Sequence, residues 1–141
     1  MKYYLIISAL FLLLVGCSKK NSNPVEPTPT PNFITFTKTF GGINDDYGSS
    51  VQQISDGGFI IAGETSSFGA GGRDVYIIKT DSTGNIIWDK SFGGNGNDGS
   101  KAIQQTPDGG FVIAGFTASF SNGSYDVYLI KTDRSGTIVW E

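Results

Sequence analysis

The chain has 141 residues, which makes one modest domain the upper limit. From residue 33 onward it carries twelve acidic and seven basic residues, a net charge of −5, which argues against a nucleic-acid ligand, because its phosphates call for a basic face. It has no His and a single Cys, Cys17, which excludes a His general base, an intrachain disulfide and a thiolate zinc site.

Residues 1–16 are typical of a signal peptide. Lys2 precedes an apolar run over residues 3–15, which is too short to span a bilayer, and a small residue stands before Cys17. The segment Leu-Val-Gly-Cys that ends at Cys17 resembles the lipobox of bacterial lipoproteins. That resemblance implies that Cys17 is acylated and anchors the chain to a membrane. A buried N-terminal helix is the alternative.

Residues 17–32 are predicted to form a tether. Four Pro residues alternate with other residues between positions 24 and 31, which favours an extended polyproline II chain. A proline-motif ligand for a partner domain is the alternative interpretation. Ser18 resembles the sorting signal of outer-membrane lipoproteins, so we expect the outer membrane. Lys19 and Lys20 are unlike acidic surface-export tags, and the choice between the periplasmic and the external side stays open.

The remaining domain, residues 33–141, contains a tandem repeat with units at 40–91 and 92–141. Residues 40–89 align with residues 92–141 without gaps, and 27 of the 50 positions are identical at an offset of 52. A period near 50 with many Gly-rich turns is typical of propellers and solenoids. The sequence therefore predicts an all-β fold.

Each unit is predicted to hold four strands, which in the first unit cover residues 50–54, 59–65, 75–80 and 85–91. Asp56-Gly57 favours a type I′ hairpin. Residues 81–84 favour a type I turn that ends in a left-handed Gly84, with the Asp81 side chain capping backbone amides. The second and third strands are apolar on both faces, as expected of a sheet that is packed between neighbours.

Residues 34–42 align with residues 86–94, so the domain begins with an extra strand that matches the fourth strand of a unit. The prediction is two tandem four-stranded antiparallel blade-like repeats plus this N-terminal strand. Closed propellers have four to eight blades. We therefore expect the sheet array to be open or to be completed by a homo-oligomer of three or four chains. A truncated product of a longer gene is the alternative.

The repeated motifs are Asp-Gly-Gly-Phe from Asp56, Lys-Thr-Asp from Lys79, Trp88 and Phe-Gly-Gly from Phe92, each with its counterpart 52 residues away. They resemble the Gly- and Asp-rich propeller-repeat lipoproteins of Gram-negative bacteria. This resemblance covers residues 34–141 and implies a β-propeller architecture, with the chain as a truncated or partial member. It implies no activity, since fold does not transfer chemistry.

Residues that recur in both units are predicted to be structural, because a repeat reuses what every unit needs for folding. The recurring Asp residues are expected to cap turns, and Trp88 and Trp140 to be wedged between blades. Residues 93–98 resemble the start of the calcium-binding nonapeptide of RTX-type β-rolls. Asp45, Asp46 and Asp98 are therefore candidate Ca²⁺ ligands, with a solvated turn as the preferred interpretation and no cofactor expected.

Positions at which the two units differ are the candidates for a specific function. Glu64 aligns with Phe116, Arg73 with Tyr125, Tyr47 with Gly99 and Ser49 with Lys101. Arg and Tyr are favoured at interfaces, so Glu64, Arg73, Phe116 and Tyr125 are predicted binding residues. Ordinary surface drift between the repeats is the alternative.

We therefore expect a membrane-anchored, non-catalytic module that binds a protein or glycan, or serves structurally, in the cell envelope. The alternative is a fragment of a glycan-active enzyme. Apart from Glu141, Glu64 is the only Glu after residue 32. A glycosidase pair of carboxylates would therefore have to recruit a turn Asp.

Overall fold

The computed structural model describes residues 35–141, which form two β-sheets and no helix. Sheet 1 has the order β1-β2-β3-β4 and sheet 2 the order β5-β6-β7-β8, and all neighbours are antiparallel. The strands are β1 (Asp46–Gln53), β2 (Phe59–Thr65), β3 (Asp74–Thr80), β4 (Ile86–Phe92), β5 (Asp98–Gln105), β6 (Phe111–Thr117), β7 (Asp126–Thr132) and β8 (Ile138–Trp140). The predicted all-β class with two tandem four-stranded units is confirmed.

The predicted signal peptide, Cys17 and the tether lie outside the described residues. Between residues 35 and 141 the chain contains no helix of the length and apolarity that a membrane crossing requires.

The hairpin at Asp56-Gly57 differs from the prediction. The Gly57 N–H donates to the Ile54 carbonyl at 2.9 Å, and Gly57 has a φ of 85°, but Asp56 does not share the positive φ that a type I′ turn requires. The loop is instead a tight turn over residues 54–57 that ends in a left-handed Gly57. The Asp56 carboxylate stabilises it by accepting from the Gly58 N–H at 3.0 Å.

The predicted turn at residues 81–84 is confirmed. Gly84 has a φ of 80°, and its N–H donates to the Asp81 carbonyl. Hydrogen bonds from the Asn85 and Thr83 N–H groups and the Thr83 hydroxyl to the Asp81 carboxylate lower its pKa to about 2. The side chain thus caps amides that the turn leaves without backbone partners.

Strand β1 begins four residues earlier than the sequence indicates. It starts at Asp46 and passes an irregularity between Gly48 and Ser50 before it continues beside β2. Residues 46–50 show no apolar alternation, so their own pattern does not predict a strand. Pairing with β2 makes them one, which is a tertiary effect.

The core lies where the two sheets face each other. The inner face of sheet 1 carries Ile60, Ala62, Val75 and Ile77, and the inner face of sheet 2 carries Ile103, Phe111, Ile113, Tyr128 and Ile130. Trp88 packs edge-on against Phe111 with ring centroids 6.0 Å apart and so lies between the sheets as predicted. Trp140, for which the same position was predicted, is instead 48% exposed, because no further sheet packs on it within the described residues. We call the contact between the two sheets the junction.

Polar groups complete the junction. The fully buried Ser100 donates from Oγ to the Gly63 carbonyl at 3.1 Å, and its Oγ also contacts Ser49 Oγ at 3.0 Å. The Gln105 N–H donates to Gln52 Oε1 at 2.8 Å. These bonds join one repeat to the next and fix how the two sheets align.

Residues 35–42 were predicted to form an extra strand, and within the described residues they join neither sheet as a hydrogen-bonded strand. Their packing nevertheless matches that of β4. Phe36 meets Phe59 at 5.9 Å and 67°, and Trp88, which corresponds to Phe36, meets Phe111 at 6.0 Å and 66°. The segment thus takes the position of a fourth strand, but no third strand lies beside it to supply hydrogen bonds.

Candidate functional site

Six residues form one continuous surface that crosses from sheet 1 to sheet 2. We call this surface the strip: Tyr47, Glu64, Arg73, Lys101, Phe116 and Tyr125. The structure brings the four predicted binding residues together in it. Every member stands at a position where the two repeats differ.

Glu64, on β2, is the centre of the strip. Its Oε2 contacts Arg73 Nη1 at 3.2 Å, and its Oε1 contacts Lys101 Nζ at 3.1 Å. Arg73 precedes β3 in sheet 1, whereas Lys101 lies on β5 in sheet 2. One carboxylate therefore links two cations across the junction.

Aromatic rings extend the strip at both ends. The Arg73 guanidinium lies 5.0 Å from the Tyr47 ring centroid, and Lys101 Nζ lies 4.9 Å from that of Phe116. Phe116 and Tyr125 are in edge contact at 5.2 Å and 88°. Both geometries are favourable for these groups, because a ring face attracts a cation and a ring edge attracts a second ring face.

The exposure of the strip suits contact with a ligand. Tyr47 and Tyr125 are 51% and 57% exposed, while the Glu64 side chain is only 12% exposed. The carboxylate thus holds the cations in place from beneath, and the rings and cations face outward. Tyr47 and Lys101 were not among the predicted binding residues, although each differs from its counterpart in the other repeat.

The candidate Ca²⁺ ligands are not brought together. Asp46 and Asp98 occupy equivalent positions in different sheets, and each accepts hydrogen bonds within its own repeat. Asp46 accepts from Thr65 and Ser67, and Asp98 accepts from Ser119 and the Gly94 N–H.

Burial alone would raise the pKa of Asp46 and Asp98, but these hydrogen bonds outweigh it and lower both pKa values. Asp45 is exposed, and residues 35–141 hold no cluster of three or more acidic, His or Cys side chains suited to a metal ion. The carboxylates of Asp46 and Asp98 act as loop caps.

Asp74 is a buried carboxylate at the junction. Its Oδ2 accepts from the Ala70 N–H at 2.9 Å, and Gly93 lies so close that an added Cβ would meet both Asp74 and Asp98. Burial raises the pKa of Asp74, and the charge of Asp98 adds to this effect while the Ala70 hydrogen bond opposes it. Its counterpart Asp126 is exposed.

No protein-family model matches the chain, and a search of curated proteins gives no significant match. The function is therefore inferred from the geometry of the strip.

Proposed function

We propose that the chain is a lipid-anchored, non-catalytic binding module of the bacterial cell envelope that presents the strip to a protein ligand. The observation that carries this proposal is the convergence of the non-repeated residues. Six residues, which stand at four positions of the repeat where the units differ, come together on one surface, although they are spread over residues 47–125 of the sequence.

The chemistry of the strip favours a protein ligand. Tyr and Arg are among the residues most enriched at protein contacts, because they combine a large apolar area with directed hydrogen bonds. Arg73 and Lys101 are held by Glu64 and by a ring face each, which reduces the side-chain entropy that a ligand contact would have to overcome.

The same geometry argues against a glycosidase. A general acid or nucleophile needs a carboxylate oxygen that faces the substrate, and both oxygens of Glu64 are engaged by cations. The alternative of a glycan-active enzyme therefore has no specific observation in its favour.

Photo-cross-linking in whole cells tests the binding function. A photoreactive phenylalanine analogue placed at Tyr125 should give a discrete adduct with a protein other than a second copy of this chain, identified by mass spectrometry, and Arg73→Ala should remove that adduct. The matched control places the analogue at Thr137, an exposed residue outside the strip. Equal adducts at Tyr125 and Thr137, or an adduct that Arg73→Ala leaves unchanged, would contradict the proposal.

Two further measurements test the rest of the proposed function. Replacement of Cys17 by Ser should move the chain out of the membrane fraction, since the lipid chains on Cys17 would supply the membrane affinity. A panel of chromogenic glycosides should show no turnover that Glu64→Gln removes. Turnover that depends on Glu64 would replace the binding module with the enzyme.

A further inference from the structure

The two sheets differ in how their equivalent apolar faces are covered. Val75 and Ile77, on the inner face of sheet 1, are each 1% exposed because sheet 2 packs on them. Their counterparts Val127 and Leu129 lie on the outer face of sheet 2 and are 85% and 44% exposed. In the described part of the chain nothing covers that outer face.

At the opposite end of the two-sheet array, the outer face of sheet 1 is also exposed in part. Ile103, on the inner face of sheet 2, is 7% exposed, whereas its counterpart Val51, on the outer face of sheet 1, is 65% exposed. At the junction, the face of sheet 1 that carries Val75 packs against the face of sheet 2 that carries Ile103. Residues 35–141 therefore present a second copy of each half of the junction contact, with Val51 exposed on one half and Val127 and Leu129 exposed on the other, while Tyr76 and Ile78 beside Val51 are buried.

A free strand edge accompanies the open face. In sheet 1, β3 pairs with β4 from Val75 to Thr80, whereas β7 pairs with β8 only at Lys131 and Thr132. On that side of β7, residues 127–130 have no ladder partner among residues 35–141. Unpaired strand edges of this kind bind further strands readily.

Residues 37–40 have the sequence and the position of the missing strand. They read Thr-Lys-Thr-Phe, and the β4 residues that pair along the equivalent part of β3 read Asp-Lys-Ser-Phe. Residues 37–40 lie against the outer face of sheet 1. In the same way β4, although it is a strand of sheet 1, lies against the inner face of sheet 2. A Cβ added at Gly84 would meet Phe36 and Lys38, and one added at its counterpart Gly136 would meet Trp88 and Lys90.

We propose that a second copy of the chain covers the outer face of sheet 2 head to tail, with its residues 37–40 paired along β7 of the first copy. The register follows from sheet 1, where Ile77 pairs with Lys90, so Leu129 of one copy faces Lys38 of the other. Trp140 and Phe36 correspond to the same position of the repeat. In the proposed contact, Phe36 of the second copy would therefore displace Trp140, the last residue of β8.

The proposal also explains why the repeats differ at the strip. Gly99 lies against Glu64 across the junction. The corresponding residues at the contact between copies are Tyr47 and Phe116, so an aromatic pair replaces a Gly beside a salt-bridged Glu. The strip of one copy would then continue into the strip of the next.

Disulfide cross-linking of the full chain tests the contact. In a Cys17→Ser background, which removes the only native thiol, one protein carries Lys38→Cys and another carries Leu129→Cys. Both side chains are exposed, so neither change removes a core contact. Directly opposed residues of paired strands are about 4.5–5.5 Å apart at Cα, which suits a disulfide.

Oxidation of the mixed proteins should give a disulfide-linked dimer that neither protein gives alone. Two sheets separate Lys38 from Leu129 within one chain, so the link reports a contact between copies. Asn122→Cys, in an exposed loop, replaces Leu129→Cys in the matched control and should give no dimer with Lys38→Cys. Val127→Lys added to the Leu129→Cys protein should abolish the dimer, because it buries a charge in the contact.

The proposal is overturned if the mixture gives no more dimer than the Asn122→Cys control. It is also overturned if either single protein alone gives as much dimer as the mixture, because the contact would then join like faces. Neither result depends on the ligand of the strip. Because Tyr125 stands at the proposed contact between copies, the photo-adduct supports the binding function only if its mass shows a partner other than this chain, so the two tests can fail separately.

Discussion

Asp74 and Asp126 are the same residue of the repeat, yet Asp74 is buried at the junction and Asp126 is exposed at the open face. Ser100 and Gly48 show the same contrast, because Ser100 is buried between the sheets and Gly48 has open space where its Cβ would be. The two repeats thus have the same strands, but their equivalent side chains do not make the same contacts. A single unit specifies its strands, and only a neighbouring unit completes its core.

The largest expected effect comes from removing a side chain on the covered face. Ile77→Ala should lower the free energy of unfolding by about 2–5 kcal/mol, because the cavity lies in a packed core. Leu129→Ala, the matched change on the open face, should cost less than about 1 kcal/mol in the isolated chain. Urea unfolding of the dilute, unassembled protein measures both values. Equal losses would show that the two faces are equally covered.

The polar bonds of the junction should have a smaller effect. Ser100→Ala removes the hydroxyl that contacts Gly63 and Ser49 and should cost about 1–2 kcal/mol, since it leaves buried partners unsatisfied. Gly48→Ala fills open space and should leave the urea midpoint of the dilute chain nearly unchanged. A loss at Gly48 that matches the loss at Ser100 would contradict the difference between the two faces.

Asp74→Asn should stabilise the protein, and by less than Ser100→Ala destabilises it. The folded-state pKa of Asp74 is raised, so its ionisation opposes folding at neutral pH and ceases to do so as the pH falls below the unfolded value. The gain in melting temperature should therefore appear near pH 7 and shrink below about pH 4. Asp126→Asn is the exposed control and should change little. A gain that persists at pH 3 would show that the charge of Asp74 is not its cause.

The folded-state pKa values of Asp46 and Asp98 are lowered, so their contribution to stability has the opposite sign. It is present above the unfolded value of about 4 and is lost as the pH falls through the folded-state pKa. Acid should therefore weaken the loop caps of both repeats while it removes the unfavourable charge of Asp74.

The smallest expected effect is at the strip. Glu64→Gln removes two ion pairs with exposed cations and should cost less than about 1 kcal/mol. The loss should decrease as NaCl is raised from about 0.05 M to about 1 M, because salt screens such pairs. Thermal melts in a salt series check this. A loss that does not depend on salt would indicate that packing of Glu64 matters more than its charge.

The sequence predicts the architecture well because each strand occurs twice in the repeat, so that its pattern can be compared between two aligned segments. The bounds of β2 agree fully with the prediction, and the turn at Asp81 agrees because its chemistry is local. The hairpin at Asp56 was predicted wrongly, since the Asp-Gly dipeptide is compatible with more than one turn and the loop length selects between them.

The candidate site could be predicted only in part. Comparison of the repeats identified Glu64, Arg73, Phe116 and Tyr125, but it gave no indication that they touch. Their contact depends on how sheet 1 and sheet 2 align, and buried junction bonds such as that of Ser100 set this alignment. The covered and open faces could not be distinguished either, because Val75 and Val127 are the same amino acid in the same local sequence.

The bonds of the junction link residues about one repeat apart, such as Gln52 with Gln105 and Ser49 with Ser100. The loops of the two repeats also have identical lengths. A gene for this chain could therefore gain 52 codons by unequal crossing-over at almost any point of the repeat, and the product would keep every type of contact. Growth of the array by whole units needs no new interface to evolve.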